Sequence, residues 1–353
     1  LQVLGVPKIE PHHRVAILLN GGIRGLQGKT GLTMLRYSNA NIVAVIDPDC
    51  VGQHFPSISG IQREVPIVDS VAAALAYQPE ILAIGIAPSG GIVPDSWFPE
   101  LQTALAGGLS IVNGLHTALA THPLLQGHLQ GEQWIWDVRQ EPAGLRIGSG
   151  KARESSARRV LMVGTDMAIG KMSAALEIQR SADLAGVKAK FLATGQAGIM
   201  ISGEGVALDA IKVDYAAGAI EGLVLDAGDG WDVLLIEGQG SLLHPGSTAT
   251  LPLIRGSQPT HLILVHRALQ ETIRNCPHVK IPPLPEVIQL YESVATAAGA
   301  FSAAKVVAIA VNSGHLDEPT ANAEIQRLAD LTGLPCIDGV RSGAAGLLES
   351  VMA

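Results

Sequence analysis

A strand-like run, Val160 to Val163, feeds directly into Gly164-Thr-Asp-Met-Ala-Ile-Gly170-Lys171-Met172-Ser173, and a helix-compatible stretch follows from Ser173 to Ala185. No other feature of the chain restricts the possible folds as much. A glycine-rich turn between a buried strand and a helix aims successive backbone N–H groups at one spot, with the positive end of the helix behind them. Such a spot suits a phosphate, and a lysine there adds charge. The expected phosphate-binding residues are Gly164, Thr165, Asp166, Gly170, Lys171, Met172 and Ser173. The pattern departs from the common phosphate loop in two respects: five residues rather than four separate the glycines, and Met172 takes the usual Ser/Thr place, with Ser173 one position later.

The rest of the chain repeats the same alternation. Apolar runs at Val15–Leu19, Ile42–Ile46, Ile81–Ile86 and Leu109–Val112 are separated by helix-compatible segments at Thr30–Tyr37, Ser70–Ala76 and Phe98–Ala106. A second series follows at Val160–Val163, Ala189–Ala193, Val233–Ile236, Leu262–Val265, Val306–Val311 and Cys336–Ile337. Short apolar strands joined by helices imply parallel sheets, and 353 residues suffice for two domains. Gln140 to Arg159 lacks periodicity and reads as the connection, so the expected fold is α/β, with a Rossmann-like parallel-sheet domain over residues 1–145 and a P-loop NTPase-like α/β domain over 146–353. Trp134 and Trp136, alternating about Ile135, suggest an edge strand. The prolines between Cys276 and Pro285 exclude a helix interior or a central strand there.

Composition narrows the function. Hydrophobic residues make up 47% of the chain and aromatics only 3%, so the cores are built from aliphatic side chains. A net charge of −8 argues against nucleic-acid or anionic-membrane partners. Cys50, Cys276 and Cys336 fit no metal spacing, and no apolar run reaches the ~18 residues of a membrane span. The expectation is a cytoplasmic, homo-oligomeric protein acting on a small molecule.

Two further patterns could carry chemistry. In Asp232-Val-Leu-Leu-Ile-Glu237-Gly-Gln-Gly-Ser241-Leu-Leu-His244-Pro, an apolar strand delivers a carboxylate into glycines. Ligands of open α/β sheets sit at that end of strands, so Glu237 could hold Mg²⁺, with Ser173 as a second ligand, or act in catalysis. In the N-terminal half, Gly21-Gly22-Ile-Arg-Gly25-Leu-Gln-Gly28-Lys29-Thr30 follows the strand Val15–Leu19, and Asp47 ends the next strand. Gly28, Lys29, Thr30 and Asp47 are therefore candidate cofactor-binding residues, although the spacing is not that of an NAD site.

The run Gly164–Lys171 and the segment Ile236-Glu237-Gly-Gln-Gly resemble dethiobiotin synthetase and its P-loop relatives. A wider resemblance rests on Gly28-Lys-Thr30, Ile84-Gly-Ile-Ala-Pro-Ser-Gly-Gly91, Asn113-Gly-Leu-His116, Ile135-Trp-Asp-Val-Arg139, Ala193-Thr-Gly-Gln196, Gly198-Ile-Met-Ile-Ser-Gly203, Glu237-Gly-Gln-Gly-Ser241, His244-Pro245 and Gly256-Ser-Gln-Pro259. Together these resemble the DgcN-type D-glutamate N-acetyltransferase family, formerly described as a domain of unknown function.

That resemblance implies acetyl transfer from acetyl-CoA to an amino acid such as D-glutamate; the two-domain reading by itself leads to the expectation of a ligand cleft between the domains. The phosphate loop would serve the CoA phosphates as well as it would serve ATP. An acidic acceptor requires cations, for which Arg267 and Arg255 are candidates, with Gln196 and Asn312 as further substrate-binding residues. The attacking amine must lose a proton to a base such as Glu237, His116 or His244. The alternatives are an ATP- and Mg²⁺-dependent ligase or kinase like dethiobiotin synthetase, and a nucleotide-binding regulator without catalysis.

Overall fold

The computed structural model describes residues 9–25 and 27–353; Leu26, within the first Gly-Lys turn, lies outside the described residues. The chain divides into two compact units. One runs through Glu141 and also takes in Gln196–Ala210; the other comprises Pro142–Gly195 and Ile211–Ala353.

The N-terminal unit is built on six strands: β1 (Arg14–Leu18), β2 (Asn41–Ile46), β3 (Ile67–Val68), β4 (Ile81–Ile84), β5 (Ser110–Asn113) and β6 (Ile135–Asp137). Their order is β3-β2-β1-β4-β5-β6 and every neighbouring pair is parallel, the arrangement of a Rossmann-like half-sheet pair with its switch point between β1 and β4. Val15 to Leu19 and Leu82 to Ala83 are wholly buried, as expected of strands covered on both faces. The helix Lys29–Tyr37 seats against them by direct backbone contact, Gly31 N–H donating to the Gly85 carbonyl at 2.7 Å. A Cβ on Gly31 would stand 2.9 Å from the Ile17 side chain, so glycine is required for that approach. Trp136 belongs to β6, the edge strand, and Trp134 directly precedes it.

The C-terminal unit holds β7 (Arg158–Gly164), β8 (Ala189–Leu192), β9 (Val233–Ile236), β10 (His261–Arg267), β13 (Lys305–Asn312) and β14 (Cys336–Ile337) in one parallel sheet of order β14-β13-β10-β7-β9-β8. A separate hairpin joins β11 (Thr272–Ile273) to β12 (Cys276–Lys280), so the proline-containing segment enters a two-stranded ribbon and not the central sheet. The helix Lys171–Ala185 buries Ala174, Ala175, Ile178 and Ala182, a spacing that turns one apolar face toward the core. Both domains are thus the expected α/β type. Among the described residues no helix is long and apolar enough to cross a membrane.

Candidate functional site

The phosphate loop occupies the turn between β7 and the helix Lys171–Ala185. Gly170 caps the helix with φ +112°, a backbone state that L side chains rarely adopt, and neither a capping side chain nor an acidic residue occupies the first turn. A positive helix end without an acidic residue of its own favours an anion. The loop is braced from all sides. Thr165 N–H donates to the Val265 carbonyl at 3.1 Å, and the Thr165 hydroxyl lies 3.0 Å from His266 Nδ1. Asp166 accepts from Met167 N at 2.6 Å, Gln270 Nε2 at 2.6 Å and Arg274 N at 2.7 Å. Thr165 and Asp166, expected to touch ligand, are wholly buried and instead hold the loop in shape. Burial presses the His266 pKa down to about 4, so this imidazole is neutral.

Lys171 is buried and its Nζ donates to the Asp166 carbonyl at 2.7 Å, which lays the ammonium across the loop. Its stem passes over Gly238, where a Cβ would stand 2.8 Å from Lys171 Cδ and 1.7 Å from the Met162 carbonyl. The glycine after Glu237 thus makes room for the lysine. The Gly164 carbonyl, at the start of the loop, accepts from both Ser241 Oγ at 2.8 Å and Tyr291 Oη at 2.7 Å.

Beside the loop opens a cavity of about 310 Å³, lined among others by Ile169, Gly170, Ser173, Asn312, Val340 and Arg341. Asn312 Nδ2 donates to the Ile169 carbonyl at 2.8 Å, so this expected substrate-binding residue fastens the loop to β13. Arg341 is tied by Nη2 to the Ser313 and Leu316 carbonyls, and Asp338 accepts from Ser313 N. Apolar walls next to a phosphate loop suit a flat heteroaromatic ring.

Glu237 lies at the end of β9 and is buried. Its Oε2 accepts from Thr194 N at 2.8 Å and Gly195 N at 3.1 Å, tying β9 to the turn after β8. Ser173 lines the cavity, and Glu237 ends β9, the sheet neighbour of β7. Among the described residues no group of three or more His, Cys, Asp or Glu converges as a metal site. Met172, directly after Lys171, brings no oxygen to the place where a phosphate loop usually supplies a hydroxyl. His244 follows in the same connection, its Nδ1 accepting from Gly246 N at 3.0 Å, which leaves the ring proton on Nε2.

The two expected arginines part company. Arg267 is exposed at the carboxyl end of β10, in register with Asn312 of β13. Arg255 is not in a turn on the ligand side. It sits in the last turn of the helix Thr250–Ser257, which leads into the start of β10 and so places it at the opposite edge of the sheet. Gly256 suggests a turn in sequence, but it is glycine because that helix packs on a neighbour: a Cβ there would stand 2.3 Å from the Ala217 carbonyl.

In the N-terminal unit, Asp47 is wholly buried, with Oδ1 accepting from Gly21 N at 2.9 Å and Oδ2 from Ile23 N at 3.0 Å. Its carboxylate fastens the first glycine turn. Gly28 caps the helix that begins at Lys29, which is exposed, while Thr30 is buried. Gln196 opens the helix Gln196–Ser202, and its side chain lies against Gly114, where a Cβ would stand 3.3 Å from Gln196 Cγ.

His116, just past β5, has two partners that sequence spacing does not reveal. Arg139 Nη1 stands 2.6 Å from His116 Nε2 and 2.6 Å from Asp209 Oδ2. The same Nη1 lies 3.5 Å from Nδ1 of that ring, so the guanidinium contacts both ring nitrogens. The turn that places His116 is held by Asn113, whose Nδ2 donates to Asp137 Oδ1 at 2.7 Å and whose Oδ1 accepts from Leu115 N at 3.0 Å.

Residues 146–348 match the family described as "Domain of unknown function (DUF1611_C) P-loop domain", and residues 48–141 match the DUF1611_N Rossmann-like domain. A protein named D-glutamate N-acetyltransferase from Tritonibacter scottomollicae is 38% identical over 77% of this chain and 81% of its own length. Another of that name, from a Pseudoalteromonas species, is 33% identical over 80% of this chain and 84% of its own. The crystal structure of a DUF1611 family protein from Anabaena variabilis is 61% identical, covers 97% of this chain and 99% of its own, and superposes with a TM-score of 0.93. The protein thus belongs to the DUF1611 family, with its Rossmann-like N-terminal and P-loop C-terminal domains.

Proposed function

We propose that this protein is an N-acetyltransferase that moves the acetyl group of acetyl-CoA to the amine of an amino acid, with D-glutamate the first acceptor to test. The observation that carries this reading is the phosphate loop with Lys171 laid across it and an apolar-walled cavity beside it, in a chain whose relatives bear an N-acetyltransferase name. CoA presents a pyrophosphate for the loop and an adenine for the cavity. Arg267, exposed where β10 ends near that cavity, is placed to meet a further phosphate of the same molecule.

The chemistry needs a base and an oxyanion donor. The amine attacks the thioester carbonyl, its proton passes to a base, and the tetrahedral intermediate expels the CoA thiolate. Glu237 is the carboxylate nearest in sequence to the glycine that accommodates Lys171, and we assign it the base. His244, with its proton on Nε2, is a donor for the oxyanion. ATP-driven phosphoryl transfer is the weaker reading, because Met172 replaces the hydroxyl that a phosphate loop ordinarily offers to Mg²⁺.

The test is direct. Incubation with acetyl-CoA and D-glutamate should yield a product heavier by one acetyl group in a mass spectrum, without ATP. Absence of that product across a panel of D- and L-amino acids, with turnover of ATP instead, would reverse the assignment.

A further inference from the structure

The side chains that line the cavity beside the phosphate loop are apolar except for Ser173, Asn312, Asp338 and Arg341. Asp338 is the one carboxylate among them, and the protein itself consumes it. Its Oδ1 accepts from Val340 N and Arg341 N, both at 3.1 Å, while Oδ2 accepts from the amide and the hydroxyl of Ser313. Four bonds fill both oxygens of this buried group.

Arg341 is anchored by two of its three side-chain nitrogens. Nε donates to Ser313 Oγ at 3.3 Å, and Nη2 donates to the Ser313 and Leu316 carbonyls at 3.1 and 2.9 Å. The third nitrogen, Nη1, makes no hydrogen bond or ion pair among the described residues, and the residue is exposed on the cavity wall, open to a ligand. Asn312 supplies the opposite polarity. Its Nδ2 is held by the Ile169 carbonyl, which fixes the amide, and its Oδ1 takes only a long bond of 3.4 Å from Gly314 N.

The cavity therefore offers an N–H donor, an amide oxygen and no free carboxylate. A phosphate gains little from this donor, because two carboxylates offset the guanidinium charge. One is Asp338; the other is Asp317, whose pKa is held down chiefly by its bonds from Thr320 and in smaller part by Arg341. An uncharged planar ring with one acceptor beside one donor fits both the apolar walls and the polar pair. Adenine carries that pattern, N1 as acceptor and the N6 amino group as donor. Guanine and hypoxanthine carry N1–H and an oxygen at position 6, which sets donor against donor and oxygen against oxygen.

We infer that the cavity is an adenine-specific subsite, with Arg341 its specificity-determining residue: Nη1–H donates to ring N1, and Asn312 Oδ1 accepts from N6. This deepens the acetyl-CoA reading and rests on it for the identity of the donor alone.

Two pairs of ligands differ only at that edge of the base: acetyl-CoA against its analogue with hypoxanthine in place of adenine, and ATP against ITP. Each is titrated calorimetrically into the wild type, Arg341→Ala and Arg341→Gln. In whichever pair binds the wild type, the adenine member should be tighter by about tenfold or more, and in Arg341→Ala the ratio should fall to about twofold or less. Glutamine still offers an N–H to the Ser313 or Leu316 carbonyl, so Arg341→Gln carries the test if the alanine variant does not fold. Equal affinity within a bound pair in the wild type, a ratio retained in both variants while both members weaken together, or binding of neither pair would each overturn the subsite. Acetyl-CoA bound without preference for its base removes the subsite and keeps the donor reading. ATP preferred over ITP, with no binding of acetyl-CoA, removes the donor reading and keeps the subsite.

Discussion

The hydroxyl of Thr165 stands 3.0 Å from Nδ1 of His266, tying the second residue of the phosphate loop to the neighbouring strand β10 through a buried, neutral imidazole. Burial is the main cause of its low pKa; Glu324 raises it and Arg327 lowers it by smaller amounts. Between about pH 6.5 and about 4 the unfolded chain takes up a proton that the folded chain refuses. The stability that depends on neutral His266 is complete above pH 6.5 and declines as the pH falls through that window, by about 3 kcal/mol in all. Denaturant titrations at pH 7 and pH 5 should show a smaller loss in His266→Gln than in the wild type. An equal loss in both would exclude the imidazole.

Tyr291 closes the loop from the other side. Its hydroxyl donates to the Gly164 carbonyl at 2.7 Å and accepts from Leu242 N at 3.0 Å, and burial pushes the phenol pKa up, so it remains a donor. Tyr291→Phe leaves a buried N–H without this partner and should cost about 1–3 kcal/mol in stability, read as a lower thermal midpoint. A midpoint equal to wild type would mean that water replaces the hydroxyl.

Much of this architecture is legible in the residues themselves. Val233–Ile236 and Cys336–Ile337 are strands with the bounds that their apolar runs predict, because buried parallel strands must be apolar throughout. Ile67–Val68, in the same Pro-x-x-Asp setting as Cys336–Ile337, also forms a strand and is not among the expected ones. Arg255, an expected acceptor cation, lies away from the loop because Gly256 beside it marks helix-to-helix contact and not a turn. Asp47 has the sequence position of a ribose ligand, but nothing in its spacing reveals that the Gly21 and Ile23 amides consume its carboxylate. Arg139 and Asp209 lie 70 residues apart and share no periodicity, so their pairing arises only when the 196–210 segment joins the N-terminal unit.

Glu237→Gln keeps an oxygen for the Thr194 and Gly195 amides and removes the charge that a base requires. Acetyl transfer should fall by roughly 10²-fold or more while the thermal midpoint changes little. The wild-type rate should be the same in EDTA. A rate that EDTA abolishes and Mg²⁺ restores would assign Glu237 to a metal after all.

The cavity beside the loop has its own test. Val340 is half exposed at its wall, and Val340→Trp should fill it and raise the KM for acetyl-CoA about tenfold without altering the acceptor KM. Arg267→Ala should move the same constant in the same direction, whereas Arg255→Ala, at the far edge of the sheet, should move neither. A change in acceptor KM in Arg267→Ala would instead assign Arg267 to the acceptor.

The central claim is that the loop Gly164–Ser173 holds the phosphates of the acetyl donor, and calorimetric titration of acetyl-CoA into the wild type and Lys171→Ala measures it. Because Lys171 is the cation laid across the loop, its loss should weaken acetyl-CoA by about tenfold or more while the fold persists. Undiminished affinity in Lys171→Ala, or tight binding of ATP with Mg²⁺ and none of acetyl-CoA, would contradict the account.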